Sequence, residues 1–384
     1  MNETRTGVIH VPVKQGSERK PSSNRRRLGV FLLGLVMTAC VADTSSRVAH
    51  NPPPPPAAAR LTAKLPPAPF DDVRPPQELV TAIRELGSSF DGKVGIAVRR
   101  IDTPWEVSWN GQMLMPQQSV SKLWVAMTLL DAVDRGVLKL EDKVTIRRED
   151  LTLFHQPIAQ LVSREGYTTS YDNLLRRAMT ESDNTANDTL LRRVGGPEAV
   201  RSFLARRFIS NVRFGPGERR MQSAAAGLEW RQELAYGRAF YEARARLPRE
   251  TRERALDSYL ANPPDGAAAS GIATGLARLK RGEMLSRRST DYLLEVMHKA
   301  RTGPQRVKGG VPAGWSYAHK TGTGQELNGR ATGFNDVGVM TAPDGASYAI
   351  AVMIGSTRRS IPARWELMQS VAKAVAANHR PRGI

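Results

Sequence analysis

Three short groups of residues in this chain of 384 have the types and order that acyl transfer needs: Ser119-Val120-Ser121-Lys122, Ser182-Asp183-Asn184 and Lys320-Thr321-Gly322. A serine hydroxyl becomes a nucleophile when a base takes its proton, and a lysine crowded by other cations can lose its own proton and serve as that base. Lys122 lies one helical turn after Ser119 and shares its face. Ser119 itself stands where the irregular stretch Met115-Pro116-Gln117-Gln118 turns into a helix, at the positive end of the helix dipole among free backbone N–H groups. Taken singly, each group has a plain structural explanation. Ser-x-x-Lys recurs at Ser17-Glu18-Arg19-Lys20 in a stretch with no sign of a fold, and a capping serine beside a solvated lysine accounts for such a match. Ser182-Asp183-Asn184 could cap a helix, and Lys320-Thr321-Gly322 could close a strand. Together, in this order, they describe one site.

The elements that must position these groups are readable from apolar spacing. Leu79, Val80, Ile83 and Leu86 recur at helical intervals over Gln77 to Phe90. Lys93–Ile101 and Trp105–Trp109 read as a strand pair around an Asp-Thr-Pro turn. Ser119–Arg135 is an apolar-rich helix, and Tyr171–Thr180, Asn184–Val194 and Pro197–Phe208 are further helices. The strand pattern returns at Trp315–Thr321, Gly333–Ala342 and Tyr348–Ile354, and Arg364–Asn378 closes the chain as a helix. Strand alternation aims Lys320 and Gly322 to one face and Thr321 to the other, with Gly322 allowing close approach of a ligand to the backbone. His319 is expected on the far face, packed or exposed, and not in the chemistry. The predicted class is α+β, an α/β sandwich with an antiparallel sheet built from both chain ends plus an all-helical subdomain.

The front of the chain follows different rules. Arg25-Arg26-Arg27, the apolar run Leu28 to Met37, and small residues before Cys40 have the form of an export signal over residues 1–40, too short to span a bilayer comfortably. Cys40 is the single cysteine, which leaves no internal disulfide and no cysteine metal site. Its setting resembles a bacterial lipobox with Met37 in place of the usual leucine, so lipidation at Cys40, a membrane anchor and a periplasmic location are expected. Residues 41–76, with the run Pro52 to Pro56, favour extended polyproline geometry and read as a tether. The folded domain is expected over residues 77–384. Net charge is +19, and removing the first forty residues, with seven basic and two acidic groups, leaves +14. An anionic cell envelope fits this charge better than nucleic acid does, given the export signal; solvated helix faces would also account for it. The six histidines show no His-x-His pairing, so neither metal nor cofactor is expected.

The three groups in this order resemble those of the serine β-lactamase and penicillin-binding protein superfamily. Glu218, 34 residues after Asn184, narrows the resemblance to class A β-lactamases, which keep there the glutamate that activates the deacylating water. Asn184-Thr185-Ala186-Asn187-Asp188, Val194-Gly195-Gly196-Pro197 and His319-Lys320-Thr321-Gly322-Thr323 look alike too. Asp188, Glu218-Arg219-Arg220-Met221-Gln222 and Asn335-Asp336 are similar to the extended-spectrum PER-type branch.

Over Gln77 to His379 the resemblance implies a monomer acting on a small β-lactam. Ser119 would attack the lactam carbonyl, and the backbone N–H groups of Ser119 and Thr323 would form the oxyanion hole. Lys122, or Glu218 through a water, would take the serine proton, and Ser182 would protonate the leaving nitrogen. Asn184 would position Lys122 and the substrate amide. Lys320 would supply positive potential and Thr321 would bind the substrate carboxylate, with Arg306 or Arg330 facing it. Phe154 and His155 fall near the cleft mouth.

Departures from the family pattern are Gln222 where asparagine is usual, Pro216 where an arginine usually braces the glutamate loop, and a connection over residues 228–264 some thirty residues longer than usual. In that connection Glu229–Ala245 and Arg249–Leu260 have helical character and suggest an inserted helical hairpin. A DD-peptidase shares acylation and differs in lacking the water-activating base, so Glu218 separates the two. A non-catalytic wall-binding lipoprotein would leave Ser119, Lys122, Ser182, Lys320 and Glu218 without a purpose.

Overall fold

The computed structural model describes residues 74–381; the signal segment, Cys40 and nearly all of the tether lie outside the described residues. Five strands form an antiparallel sheet: β1 (Lys93–Arg100), β2 (Glu106–Trp109), β3 (Ser316–Thr323), β4 (Phe334–Thr341) and β5 (Ser347–Ser356). Their spatial order is β2-β1-β5-β4-β3, so Ile96 near the start of the fold pairs with Val352 near its end. The sheet drawn from both chain ends is the one the sequence predicts.

Each face of the sheet is covered. On one side Ile96, Val98, Ile350 and Val352 pack with Leu79 and Ile83 of α1 (Gln77–Ser89) and with Leu367, Met368 and Val371 of the C-terminal helix (Ile361–Ala377). Full burial of one such side chain contributes about 1.5–3 kcal/mol. On the other side small residues, Ala97, Ala349 and Ala351, let Ile272, Ala273 and Leu276 of the helix Ala269–Lys280 come close. Beyond that helix lies the helical lobe. Its central helix, α2 (Lys122–Asp134), is apolar nearly all round and is buried from Lys122 through Ala132, as a helix enclosed by others must be. Packing there is tight: a Cβ on Gly275 would lie 2.8 Å from the Trp124 ring.

Two expected helices are modified. The segment predicted over Tyr171–Thr180 is α-helical only over Tyr171–Arg176, then widens into a π turn, Arg177–Glu181, and ends at Ser182 with φ +62°. In the long connection, the helix expected over Glu229–Ala245 is interrupted at Gly237 (φ +54°), leaving a 3₁₀ turn, Gln232–Ala235, and a short helix, Ala239–Arg246. The second expected helix is present as Arg249–Ala261.

The sheet meets the helical lobe where β3 runs beside the turn that carries Ser119. A Cβ on Gly322 would lie 2.3 Å from the Gln117 carbonyl oxygen. The space that sequence reasoning assigned to an approaching ligand is thus filled by the chain's own backbone. Asn335 of β4 fastens the same turn, donating to the carbonyls of Pro116 (2.8 Å) and Gln117 (3.0 Å) while accepting from Ile354 N (3.2 Å). Replacing Gly322 with alanine must push strand and turn apart, and overpacking of this kind costs about 1–3 kcal/mol. The expected result is a lower urea midpoint with an unchanged slope; a wild-type midpoint would show that the turn withdraws freely.

Candidate active site

Gln118 takes a left-handed backbone conformation (φ +54°) and opens a single 3₁₀ turn, Gln118–Ser121, that leads directly into α2. Among buried neighbours Ser119 alone remains half-exposed. Lys122 Nζ lies 2.9 Å from Ser119 Oγ and also contacts the Glu218 carboxylate, with both Lys122 and Glu218 enclosed. Breaking such a pair by removing one partner strands a buried charge, whereas both together compensate.

Glu218 opens the helix Glu218–Ala225, and Asp188, on the helix Asn184–Arg193, accepts from the backbone N–H groups of Glu218 (3.2 Å) and Arg219 (3.4 Å). Burial, with the Glu218 charge adding, pushes the Asp188 carboxyl up to about 6 despite those bonds. Gln222, one turn on, donates to Glu218 Oε2 at 3.3 Å.

The second hydroxyl is set by the Ser182 turn. Asp183 caps the following helix by accepting from Ala186 N (2.9 Å) and also accepts from Ile158 N (2.6 Å). Ser182 Oγ accepts from Lys320 Nζ at 2.9 Å, and the same ammonium donates to Thr321 O at 2.8 Å. Lys320 is fully enclosed, and burial, with Lys122 and Arg306 adding, holds it well below the ordinary lysine range.

Ser119, Ser182, Thr321, Thr323, Arg306, Phe154 and His155 line one cleft of about 310 Å³, together with Thr302 and Tyr241. Thr321 faces this cleft with its hydroxyl 2.7 Å from that of Thr302, while Lys320 reaches Ser182 from within. Arg306 is clamped: its guanidinium donates to Gly322 O (2.9 Å), Asn335 O (2.7 Å) and Thr323 Oγ1 (2.5 Å), and sits 3.7 Å over the Phe334 ring. Burial brings its pKa down to about 10.

Arg330, the other arginine the sequence offered, does not join the cleft; it donates to Asp257 Oδ1 (2.5 Å) on the helix Arg249–Ala261. Asn184 lies beside the cleft, but its amide donates to Leu153 O (2.9 Å) and its backbone N–H to His155 O (2.9 Å), and it makes no hydrogen bond to Lys122. His319 is packed away, its Nδ1 2.8 Å from Asp336 Oδ1 and its ring stacked on Tyr317.

Sequence reasoning missed several groups that hold the site. Gln117 donates to Arg213 O (2.8 Å) and Asp265 O (2.7 Å) and accepts from Trp124 Nε1 (2.7 Å). Gln118, Tyr259 and Asp265 form a further buried group. The one visible signal was two adjacent glutamines immediately before Ser119. As a whole the arrangement presents a half-exposed hydroxyl touching a buried amine–carboxylate pair, a second hydroxyl on a buried ammonium, and a fixed guanidinium at the cleft wall. Such groups suit proton removal from one hydroxyl, proton delivery by another, and recognition of an anionic ligand.

Comparisons with known proteins agree with this geometry. The β-lactamase enzyme family matches residues 78–379. The β-lactamase VEB-1 of Pseudomonas aeruginosa is 26% identical over 296 residues, covering 77% of this chain and 88% of that protein. The extended-spectrum β-lactamase PER-1 of Pseudomonas aeruginosa is 28% identical over 281 residues, 73% of this chain and 80% of that one. The crystal structure of a β-lactamase from Chitinophaga pinensis superposes with a TM-score of 0.65 at 26% identity, over 78% of this chain and 99% of the other. With motifs, cleft and fold in agreement over the same span, this chain belongs to the class A β-lactamase family.

Proposed function

We propose that this protein hydrolyses β-lactam antibiotics through a serine acyl-enzyme. The observation that carries the reading is Lys122 Nζ lying in contact with both Ser119 Oγ and the Glu218 carboxylate. In acylation Ser119 Oγ attacks the lactam carbonyl carbon while the Lys122–Glu218 pair, acting as a unit, takes its proton. The lactam C–N bond breaks, and Ser182 gives its proton to the nitrogen and is reprotonated from the pair. The backbone N–H groups of Ser119 and Thr323 bind the carbonyl oxygen, a contribution commonly worth about 10²–10³ in rate per donor. Thr321 and Thr323 hold the substrate carboxylate, with Arg306 fixing Thr323 and Lys320 setting the potential. Glu218 then activates a water, with Gln222 holding the carboxylate, and hydrolysis of the ester returns Ser119.

The export signal, the lipobox-like Cys40 and the proline-rich segment support a periplasmic lipoprotein held off the membrane by its tether.

Purified protein is expected to turn over nitrocefin, and Ser119→Ala to abolish that turnover. A stoichiometric burst without turnover would instead indicate a penicillin-binding enzyme, and no reaction would remove the β-lactam reading. In Glu218→Gln the amine of Lys122, 2.9 Å from Ser119 Oγ and without its carboxylate partner, is left to take the serine proton. This variant is therefore expected to acylate and then stall, adding the mass of one penicillin to Ser119; rapid return of unmodified protein would contradict the role given to Glu218. Cys40→Ala should lose incorporation of a palmitate analogue in cells, and undiminished labelling would refute the anchor.

A further inference from the structure

The segment that departs most from the family's usual length reaches the reacting groups. Tyr259, in the last turns of the inserted helix Arg249–Ala261, is buried. Its hydroxyl donates to Asp265 Oδ1 (3.0 Å) and accepts from Gln118 Nε2 (2.7 Å). Asp265 Oδ2 in turn accepts from the backbone N–H of Gln118 at 2.8 Å. The residue before Ser119 is therefore held at its main chain by Asp265 and at its side chain by Tyr259 of the insertion and by the Thr332 carbonyl, which also accepts from Gln118 Nε2 (3.1 Å). Gln118 needs such holding, because a left-handed conformation in a residue with a Cβ persists only when its surroundings over-determine it. The same side chain continues the contact: Gln118 Oε1 accepts from Gln222 Nε2 (3.1 Å), which also reaches Glu218 Oε2 (3.3 Å). An unbroken chain of hydrogen bonds thus runs from Asp265 through Tyr259, Gln118 and Gln222 to Glu218.

Pro216 occupies the place where the family resemblance puts a bracing arginine, so the glutamate loop lacks that support. We propose that Tyr259 of the insertion takes over the brace, as a positioning residue that fixes the Ser119 turn and the Glu218 carboxylate together through Gln118 and Gln222. Its kinetic consequences rest on the hydrolase reading above. The competing, purely structural role is packing: the ring lies against Met221 and Ala225.

Tyr259→Phe keeps the ring and removes only the hydroxyl, and Tyr259→Leu removes both. In the full-length protein Tyr259→Phe should melt close to wild type, whereas Tyr259→Leu melts lower. With benzylpenicillin, Tyr259→Phe should lower kcat about tenfold, or about 1.4 kcal/mol in activation free energy, with KM changed little and the Ser119 adduct living correspondingly longer. Combined with Gln222→Ala, its effect should be less than additive, since both interrupt one chain of bonds. Hydrogen exchange of residues 117–121 should quicken in Tyr259→Phe. Wild-type kcat, adduct lifetime and exchange in Tyr259→Phe would overturn the proposal and leave packing as the role of this residue. If wild-type protein forms no adduct, the hydrolase reading fails, and the exchange rates alone decide whether Tyr259 holds the serine turn.

Discussion

Two lysine ammonium groups, Lys122 and Lys320, are completely enclosed, and the rest of the site follows from the need to give them partners. An unpaired ion in a protein interior costs several kcal/mol, so oxygen atoms must be delivered to both. Lys122 takes Ser119 Oγ and the Glu218 carboxylate; Lys320 takes Ser182 Oγ and its neighbour's carbonyl. These acceptors sit on the serine turn, the glutamate helix, the Ser182 turn and β3, which are far apart in the chain. Satisfying the two cations therefore registers the helical lobe against the sheet edge. It also leaves two hydroxyls on residues that line one cleft, each already hydrogen-bonded to an amine. The geometry of the site and the packing of the fold have the same origin here.

Much of this is legible in the order of the residues alone. The uninterrupted apolar run Tyr348–Ile354 marks the central strand, the spacing of Leu79, Ile83 and Leu86 marks the first helix, and three short motifs mark the serine turn, the second hydroxyl and the edge strand. Motifs of consecutive residues are visible in a sequence because one local element carries them. Contacts between polar side chains more than a hundred residues apart leave no such trace. Gln118, Tyr259 and Asp265 have no common periodicity, and each by itself looks like an ordinary surface residue. The choice between Arg306 and Arg330 is equally closed to sequence reasoning. Two identical side chains are told apart only by the Phe334 ring and the carbonyls that receive one, and by the Asp257 carboxylate that captures the other.

The insertion contributes at two depths. Tyr241, from its short helix Ala239–Arg246, stands at the cleft rim and donates to the Phe154 carbonyl at 3.3 Å, while Tyr259 sits behind the serine turn. The break at Gly237 is what permits this: a straight helix through that point could not turn its second half toward the cleft. The segment thereby forms part of the wall of the site as well as its backing. It also engages the far arginine, since Asp257 holds Arg330 on the loop that follows β3.

The pairing of β1 with β5 sets the order in which the molecule can assemble. A sheet whose central partners are the first and the last long strands of the domain closes only after the final strand is available, and contacts of such sequence separation slow folding. The helical lobe can gather around α2 earlier, from residues contiguous in the chain, but it then holds Lys122 without the strand that seals its surroundings. The finished cleft is in this sense a report on completed synthesis: a chain cut short before β3 would retain Ser119 and Glu218, yet have neither the edge strand nor the lysine that turn a serine in a helical bundle into part of a cleft.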